Sequence, residues 1–151
     1  MPEKSLDTKA AIEVLNRILE LELAGVVRYT QYSFMVFGYT RIPIVSWLRG
    51  QADESLLHAH EAGELITQLG GHPSLGVGPL LATHHYDIGD ILRESLEHEE
   101  AGIAAYRELL ALAEGRSILL EEYARRLIGD ETKHVGEVHK MLRPPGTPPT
   151  A

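Results

Sequence analysis

Apolar positions recur every three or four residues over four long stretches of the chain, which is the period of an amphipathic helix. In the first stretch Ile12, Leu15, Ile18, Leu19, Val26 and Tyr29 form the stripe, Ser5 or Asp7 can cap its start, and the pattern carries to about Phe37. Gly38 to Ile42 reads as a short connection. Pro43 suits the first turn of a second helix, which runs through Trp47, Leu48, Leu65, Ile66 and Leu69 until Gly70-Gly71 stop it. The next segment, 71–86, holds Pro73, Gly76, Gly78 and Pro79, cannot be regular helix, and forms a long crossover. Asp87 or Asp90 starts a third helix through Leu92, Leu96, Ile103, Tyr106 and Leu110 to about Glu114, with Gly115 as its stop. Ser117 opens the fourth, to about Leu142, and Pro144 to Pro149 are incompatible with helix.

Two short links and one long one predict an all-α four-helix bundle with a single crossover between the second and third helices, and no fifth helix. Residues 1–143 form the bundle and 144–151 a Pro-rich flexible tail. Pattern alone also fits an unrelated bundle whose stripes mean only a core.

An internal repeat changes that picture. Leu19-Glu20-Leu21-Glu22-Leu23-Ala24-Gly25 returns 77 residues later as Leu96-Glu97-His98-Glu99-Glu100-Ala101-Gly102, and Tyr29 maps to Tyr106 at the same offset. Asp53-Glu54-Ser55 matches Asp130-Glu131-Thr132, again at 77, but His58 matches His134 and Glu61 matches Glu137 at 76. The two halves are therefore related helical hairpins, with one extra residue between Glu54 and His58. Glu131 and His134 are three apart and share a face. Glu54 and His58 are four apart, and a single π-bulge in the second helix would absorb the added residue.

Charge and composition then narrow the chemistry. There are 22 acidic residues against 14 Lys and Arg, for a net charge of -8, which argues against a nucleic-acid partner or a polybasic membrane anchor. The chain has no cysteine, so disulfides, zinc fingers, iron–sulfur clusters and thiol chemistry are excluded. With no apolar leader and no run long enough to span a bilayer, the expected location is the cytoplasm, free of the membrane. Glu22 and Glu99 lie on the apolar stripes of their helices, and Glu131 with His134 lies in the row Leu127, Ile128, Val135 and Val138. All four helices thus aim an acid inward, on faces where Arg and Lys are scarce. Converging buried carboxylates require protons, cationic partners or metal. Four of them carry about −4, which two divalent cations would neutralise, with two imidazoles completing the shells.

One Glu from each of two helices, with a Glu and His from each of the other two, is the ligand arrangement of ferritin-like di-iron and di-manganese carboxylate proteins. The sequence resembles that superfamily, and most nearly the bacterioferritins, over about residues 8 to 143. Besides the Glu and His set, the resemblance is carried by Glu-Leu-Ala-Gly-Val-Val-Arg-Tyr over 22–29, by His58-Ala59, by Leu69-Gly70-Gly71-His72-Pro73-Ser74-Leu75, and by Asp130-Glu131-Thr132-Lys133-His134. It implies Glu22, His58, Glu99, Glu131 and His134 as metal ligands. The sixth does not carry over, because Ser55 stands three before His58; Glu54 is the choice for it, with Glu61 as competitor. Tyr29 resembles the tyrosine the family places beside the metals, where it supplies an electron or a hydrogen bond. By the same resemblance the metals are two iron ions, though imidazole and carboxylate also accept manganese or zinc. Leu56 stands where bacterioferritins have a haem-binding methionine, so haem is not expected.

The implied activity is ferroxidase chemistry, Fe(II) oxidation by O2 for iron storage or detoxification, in a homo-oligomer that is at least a dimer. A rubrerythrin-like peroxidase or an oxygenase would use the same centre, and a non-catalytic metal-binding module is the rival outside enzymes. Among the other features, Tyr29 and Tyr106 also read as core aromatics with satisfied hydroxyls. His84-His85-Tyr86 reads as exposed loop, His60, His98 and His139 fall off the ligand face by helical phase, and Trp47 and the two Phe residues belong to core or subunit contact.

Overall fold

The computed structural model describes residues 4–80 and 83–149; the first three residues of the chain and the last two of the Pro-rich tail lie outside that range. Four α-helices make the fold: α1 (Thr8–Phe34), α2 (Arg41–Gln68), α3 (Ile88–Ala113) and α4 (Ile118–Leu142). Three starts are fixed by the acceptor side chains the sequence offers. Asp7 accepts from the Ala10 amide at 3.1 Å, Asp87 from Gly89 at 3.1 Å and Ser117 from Leu120 at 3.3 Å, each satisfying an amide that the helix leaves free. Gly70 and Gly115 take positive φ just past α2 and α3, as helix stops do. α1 ends at Phe34, three residues before the expected end, and α2 begins at Arg41, two before Pro43.

α1 packs along α2 and α3, and α3 along α4, whereas the backbones of α2 and α4 face each other across a wider gap. Two apolar clusters occupy the two ends of the bundle. One gathers Leu15, Ile18, Ala62, Ile66, Leu109, Leu120 and Leu127, the other Tyr29, Tyr32, Val36, Leu48 and Ile91. Burying each of the larger side chains contributes roughly 1.5–3 kcal/mol. Along every helix the predicted ligands fall between or beside these clusters, so a polar layer divides the core at mid-height.

The crossover is held to α1 and α3 by polar contacts. The Asn16 side-chain amide donates to the His72 carbonyl and accepts from the Ser74 amide, and Ser74 Oγ donates to Glu20 at 2.8 Å. The Gly78 amide then donates to the Glu20 carbonyl at 2.9 Å. A Cβ at residue 78 would itself lie 2.9 Å from that carbonyl, which is why the chain approaches α1 through a glycine.

The second helix differs from expectation at the repeat's slip. α2 is continuous α-helix from Arg41 to Gln68, with no π-bulge between Glu54 and His58. The extra residue instead rotates Glu54 toward the rim of the bundle and puts Ser55 on the buried face, where its neighbours are Gly25 and His98.

Candidate metal centre

Glu22 from α1, His58 from α2, Glu99 from α3 and Glu131 from α4 are all buried, and each comes from the stripe that the helical period turns inward. Ligand atoms of Glu22, His58 and Glu131 lie within 4.8 Å of one another, and so do those of Glu99, Glu131 and His134. Glu131 belongs to both groups, so two three-residue clusters share one carboxylate. His58 Nδ1 stands 3.2 Å from Glu131 and 3.6 Å from Glu22, yet it is buried and makes no hydrogen bond among the described residues. An orphaned imidazole nitrogen facing two carboxylates is a donor set that suits a divalent cation.

Glu54 completes the arrangement from the α2 side. Its Oε2 is 3.1 Å from His134 Nε2 and its Oε1 is 3.8 Å from His58 Nε2, so it spans the two histidines from a half-buried position at the rim. Glu61 does not reach the cluster and pairs with Arg126 at 2.7 Å. The expectation that all four helices bury their acid therefore needs correction at α2.

Electrostatics follow from this crowding. Burial pushes the Glu22 carboxyl above its ordinary range, with His58 partly offsetting it. Burial and the adjacent Glu131 raise Glu99 well above its own. Glu131 goes the other way, because Glu99, His134 and His58 beside it outweigh its burial and hold it well below the usual range. Burial alone would lower His58, but Glu131 and Glu22 overcome it and raise the imidazole to about 10. His134 is raised, chiefly by the neighbouring Glu131 carboxylate. Without metal the cluster thus holds protons that a cation would displace.

Two tyrosines close the cluster along the repeat's own symmetry. Tyr29 donates to Glu99, and Tyr106, its counterpart, donates to Glu22 at 2.9 Å. Each has a second tyrosine edge-on, Tyr32 against Tyr29 at 6.3 Å and Tyr123 against Tyr106 at 5.9 Å between ring centres.

Six polar residues in the interior were not expected from the sequence. His98 belongs to neither ligand cluster but is buried, with its ring edge-on to Tyr29 at 6.4 Å; burial and the Arg28 charge lower it to about 4. Arg28 and Glu94 form a buried pair at 3.9 Å, so the inner face of α1 does carry a cation. Ser33, Ser55 and Ser95 complete the six. A single-stripe reading misses Glu94, Ser95 and His98 because α3 is covered on two sides, by α1 and α4, and its buried arc is wider than one stripe. The remaining histidines and aromatics are peripheral: His60, His84, His85 and His139 are exposed, Trp47 packs half-buried against the Tyr29 end of the core, and Phe34 and Phe37 face outward. Leu56, at the position a haem methionine would take, is exposed on α2.

Comparison with known proteins agrees with this architecture. Residues 12–144 match the ferritin-like domain. A ferritin-like di-iron-carboxylate protein from Bacillus anthracis str. Ames superposes with a TM-score of 0.85 at 25% identity, covering 93% of this chain and 100% of that one. The bacterioferritin of Rhodobacter capsulatus, solved with a metal-free dinuclear site and haem iron, gives 0.80 at 25% identity over 92% of this chain and 86% of its own. A dodecameric thioferritin from Bacteroides fragilis shares the fold, with a TM-score of 0.81 at 22% identity over 91% and 87% of the two chains. No curated protein matches the sequence. With the four-helix architecture, the crossover and a family match over nearly the whole bundle, the chain belongs to the ferritin-like domain family.

Proposed function

We propose that this protein binds two Fe(II) ions as substrate at the carboxylate cluster and oxidises them with O2, acting in iron storage or detoxification. The observation that carries the reading is the pair of three-residue clusters sharing Glu131, with His58 Nδ1 buried and without a hydrogen bond among the described residues. In this reading Glu22 and His58 hold one ion, Glu99 and His134 the other, Glu131 bridges, and Glu54 spans the pair from the rim. Four carboxylates and two imidazoles balance two divalent charges and leave coordination positions for O2. Metal bound at such a site supplies one electron per Fe(II) to the oxidant.

The protein's own residues hold the geometry and move protons. Tyr29 and Tyr106 orient Glu99 and Glu22 through their hydroxyl bonds, and Tyr29 can also give up an electron as its proton passes to Glu99. The apolar clusters on both sides keep bulk water from the layer. Likeness to a bacterioferritin and to a dodecameric thioferritin supports a homo-oligomer, from a dimer upward.

Aerobic Fe(II) oxidation by wild type and Glu131→Ala tests the reading. Loss of the catalysed rate in the variant supports it, and equal rates in the two proteins overturn it. Metal analysis of the purified protein, with iron near two per chain as the expected result, tests the choice of metal. Light scattering that finds only dimers would exclude a closed storage shell.

A further inference from the structure

The two tyrosine arms beside the cluster are alike in geometry but not in proton chemistry. Oxidation of a phenol at neutral pH requires a base for its proton. On the α4 arm the Tyr123 hydroxyl is buried with no hydrogen-bond partner among the described residues. On the α1 arm every member has an acceptor: Tyr29 donates to Glu99, and Tyr32 donates to Glu94 Oε1 at 2.8 Å. The α1 arm also leads somewhere. Tyr32, Arg28 and Glu94 line a cavity of about 240 Å³ between α1, α3 and the crossover, whose other walls include Gln31, His84 and Tyr86. Arg28 is nine-tenths buried there, paired with Glu94 but with its Nε and Nη1 making no hydrogen bond among the described residues.

The geometry points to Tyr29 and Tyr32 as a two-step electron relay from the metal cluster to this cavity, and to the cavity as the binding site of a small single-ring hydroquinone that refills it. The inference rests on the ferroxidase reading and extends it to a second substrate. The size fits, since a cavity of ~150 Å³ already takes a bare benzene ring. The polar groups fit too: Gln31 Nε2 donates to the Tyr86 hydroxyl at 2.8 Å and His84 Nδ1 lies 3.1 Å from it, which leaves the Gln31 side-chain oxygen to accept from a ring hydroxyl, and Arg28 Nε and Nη1, which make no hydrogen bond among the described residues, favour a donor oxygen that is losing its proton.

The electron balance is complete with this donor. One O2 takes four electrons and four protons to become two water molecules. Two Fe(II) supply two electrons; the hydroquinone supplies the other two, with two protons, as it becomes quinone, and solvent supplies the remaining protons. In each relay step the Tyr29 O–H bond breaks, its electron leaving for the cluster and its proton for Glu99. Tyr32 returns an electron to Tyr29 as its own proton passes to Glu94, and Glu99 gives its proton back. The hydroquinone then gives one electron to Tyr32 and one proton to solvent, and Tyr32 recovers its own proton from Glu94, so both carboxylates end unchanged.

Two measurements test this. Calorimetric titration of the metal-free protein with hydroquinone is expected to saturate in wild type and in Tyr32→Phe. In Val27→Trp, which fills the cavity from its rim, binding should be weaker by about tenfold or more. No binding to wild type, or unchanged binding to Val27→Trp, overturns the site. Rapid-freeze electron paramagnetic resonance after mixing Fe(II)-loaded protein with O2 is expected to show a tyrosyl radical. Hydroquinone should quench it at least about tenfold faster in wild type than in Tyr32→Phe, where one relay step is missing. Equal quenching in the two proteins overturns the relay while leaving Fe(II) oxidation in place. Absence of Fe(II) oxidation in wild type overturns the function proposed above and the relay with it.

Discussion

Glu61 is turned away from the carboxylate cluster by Arg126, which holds it at 2.7 Å across the gap between α2 and α4. Two helical turns earlier, Glu54 has no such cation among the described residues and lies between His58 and His134 instead. The two acids that compete for the sixth ligand position are thus separated by the partner each one finds.

Glu54→Gln is therefore expected to weaken divalent metal binding by roughly tenfold or more, the scale seen when a metal site loses a supporting group. Glu61→Gln should leave both stoichiometry and affinity as in wild type. Titration of the metal-free proteins with Mn(II) distinguishes them, and a larger loss in Glu61→Gln would reverse the assignment.

At Gly25, α1 comes close to side chains of both α2 and α3: a Cβ there would lie 2.7 Å from Ser55 Oγ and 3.1 Å from His98 Nε2. Neither neighbour has room to withdraw, since both are buried. Gly25→Ala is expected to destabilise the fold by about 1–3 kcal/mol through overpacking, although alanine is the better helix former. Denaturant unfolding would measure it, and a stabilised variant would show that the helices can separate without cost.

Arg28→Met leaves Glu94 buried without its cation, and the expected loss is about 3 kcal/mol or more. The paired change Arg28→Met with Glu94→Gln should recover most of that loss, because the uncompensated charge is gone. A double-mutant cycle in chemical denaturation reads the difference directly. Additive losses would mean that the two residues do not act as a pair.

Stability without metal should depend on pH in a defined direction. Glu22, Glu99 and His58 all have folded pKa values above their ordinary ones, so the folded protein binds more protons than the unfolded chain. The His58 contribution is present in full below 6.5 and is lost as pH rises through about 10. The two carboxyls disfavour the fold increasingly as pH rises from 4.5 through their raised values. Glu131, held low, has the opposite sign but acts only in strong acid. The melting temperature in chelator is thus expected to fall between pH 6.5 and 10, and Mn(II), which takes the place of those protons, should flatten the fall. Parallel curves with and without metal would contradict the linkage.

Much of this was legible in the sequence because it followed from period and repeat. The four stripes gave the helices, the capping residues gave three of their starts, and the 77-residue offset paired Glu22 with Glu99 and Tyr29 with Tyr106. What escaped depends on neighbours that no local pattern encodes. The slip before His58 is absorbed by turning Glu54 outward rather than by a bulge, since half-exposure costs a carboxylate less than broken backbone hydrogen bonds cost the helix. His98 and Glu94 are buried because of what packs over α3, and Arg28 because of a crossover whose Pro79 carbonyl accepts its Nη2 at 3.0 Å.

The crossed tyrosine bonds carry a consequence for the ancestry of the chain. Each hairpin supplies the hydroxyl that the other hairpin's glutamate accepts, so neither can satisfy its interior alone. A free-standing first half would bring Glu22 and Tyr29 to a surface it could complete only by pairing with a second copy of itself. Gene duplication followed by fusion through the crossover would have made that partnership permanent, and freed the two halves to diverge at Ser55, Leu56 and His98.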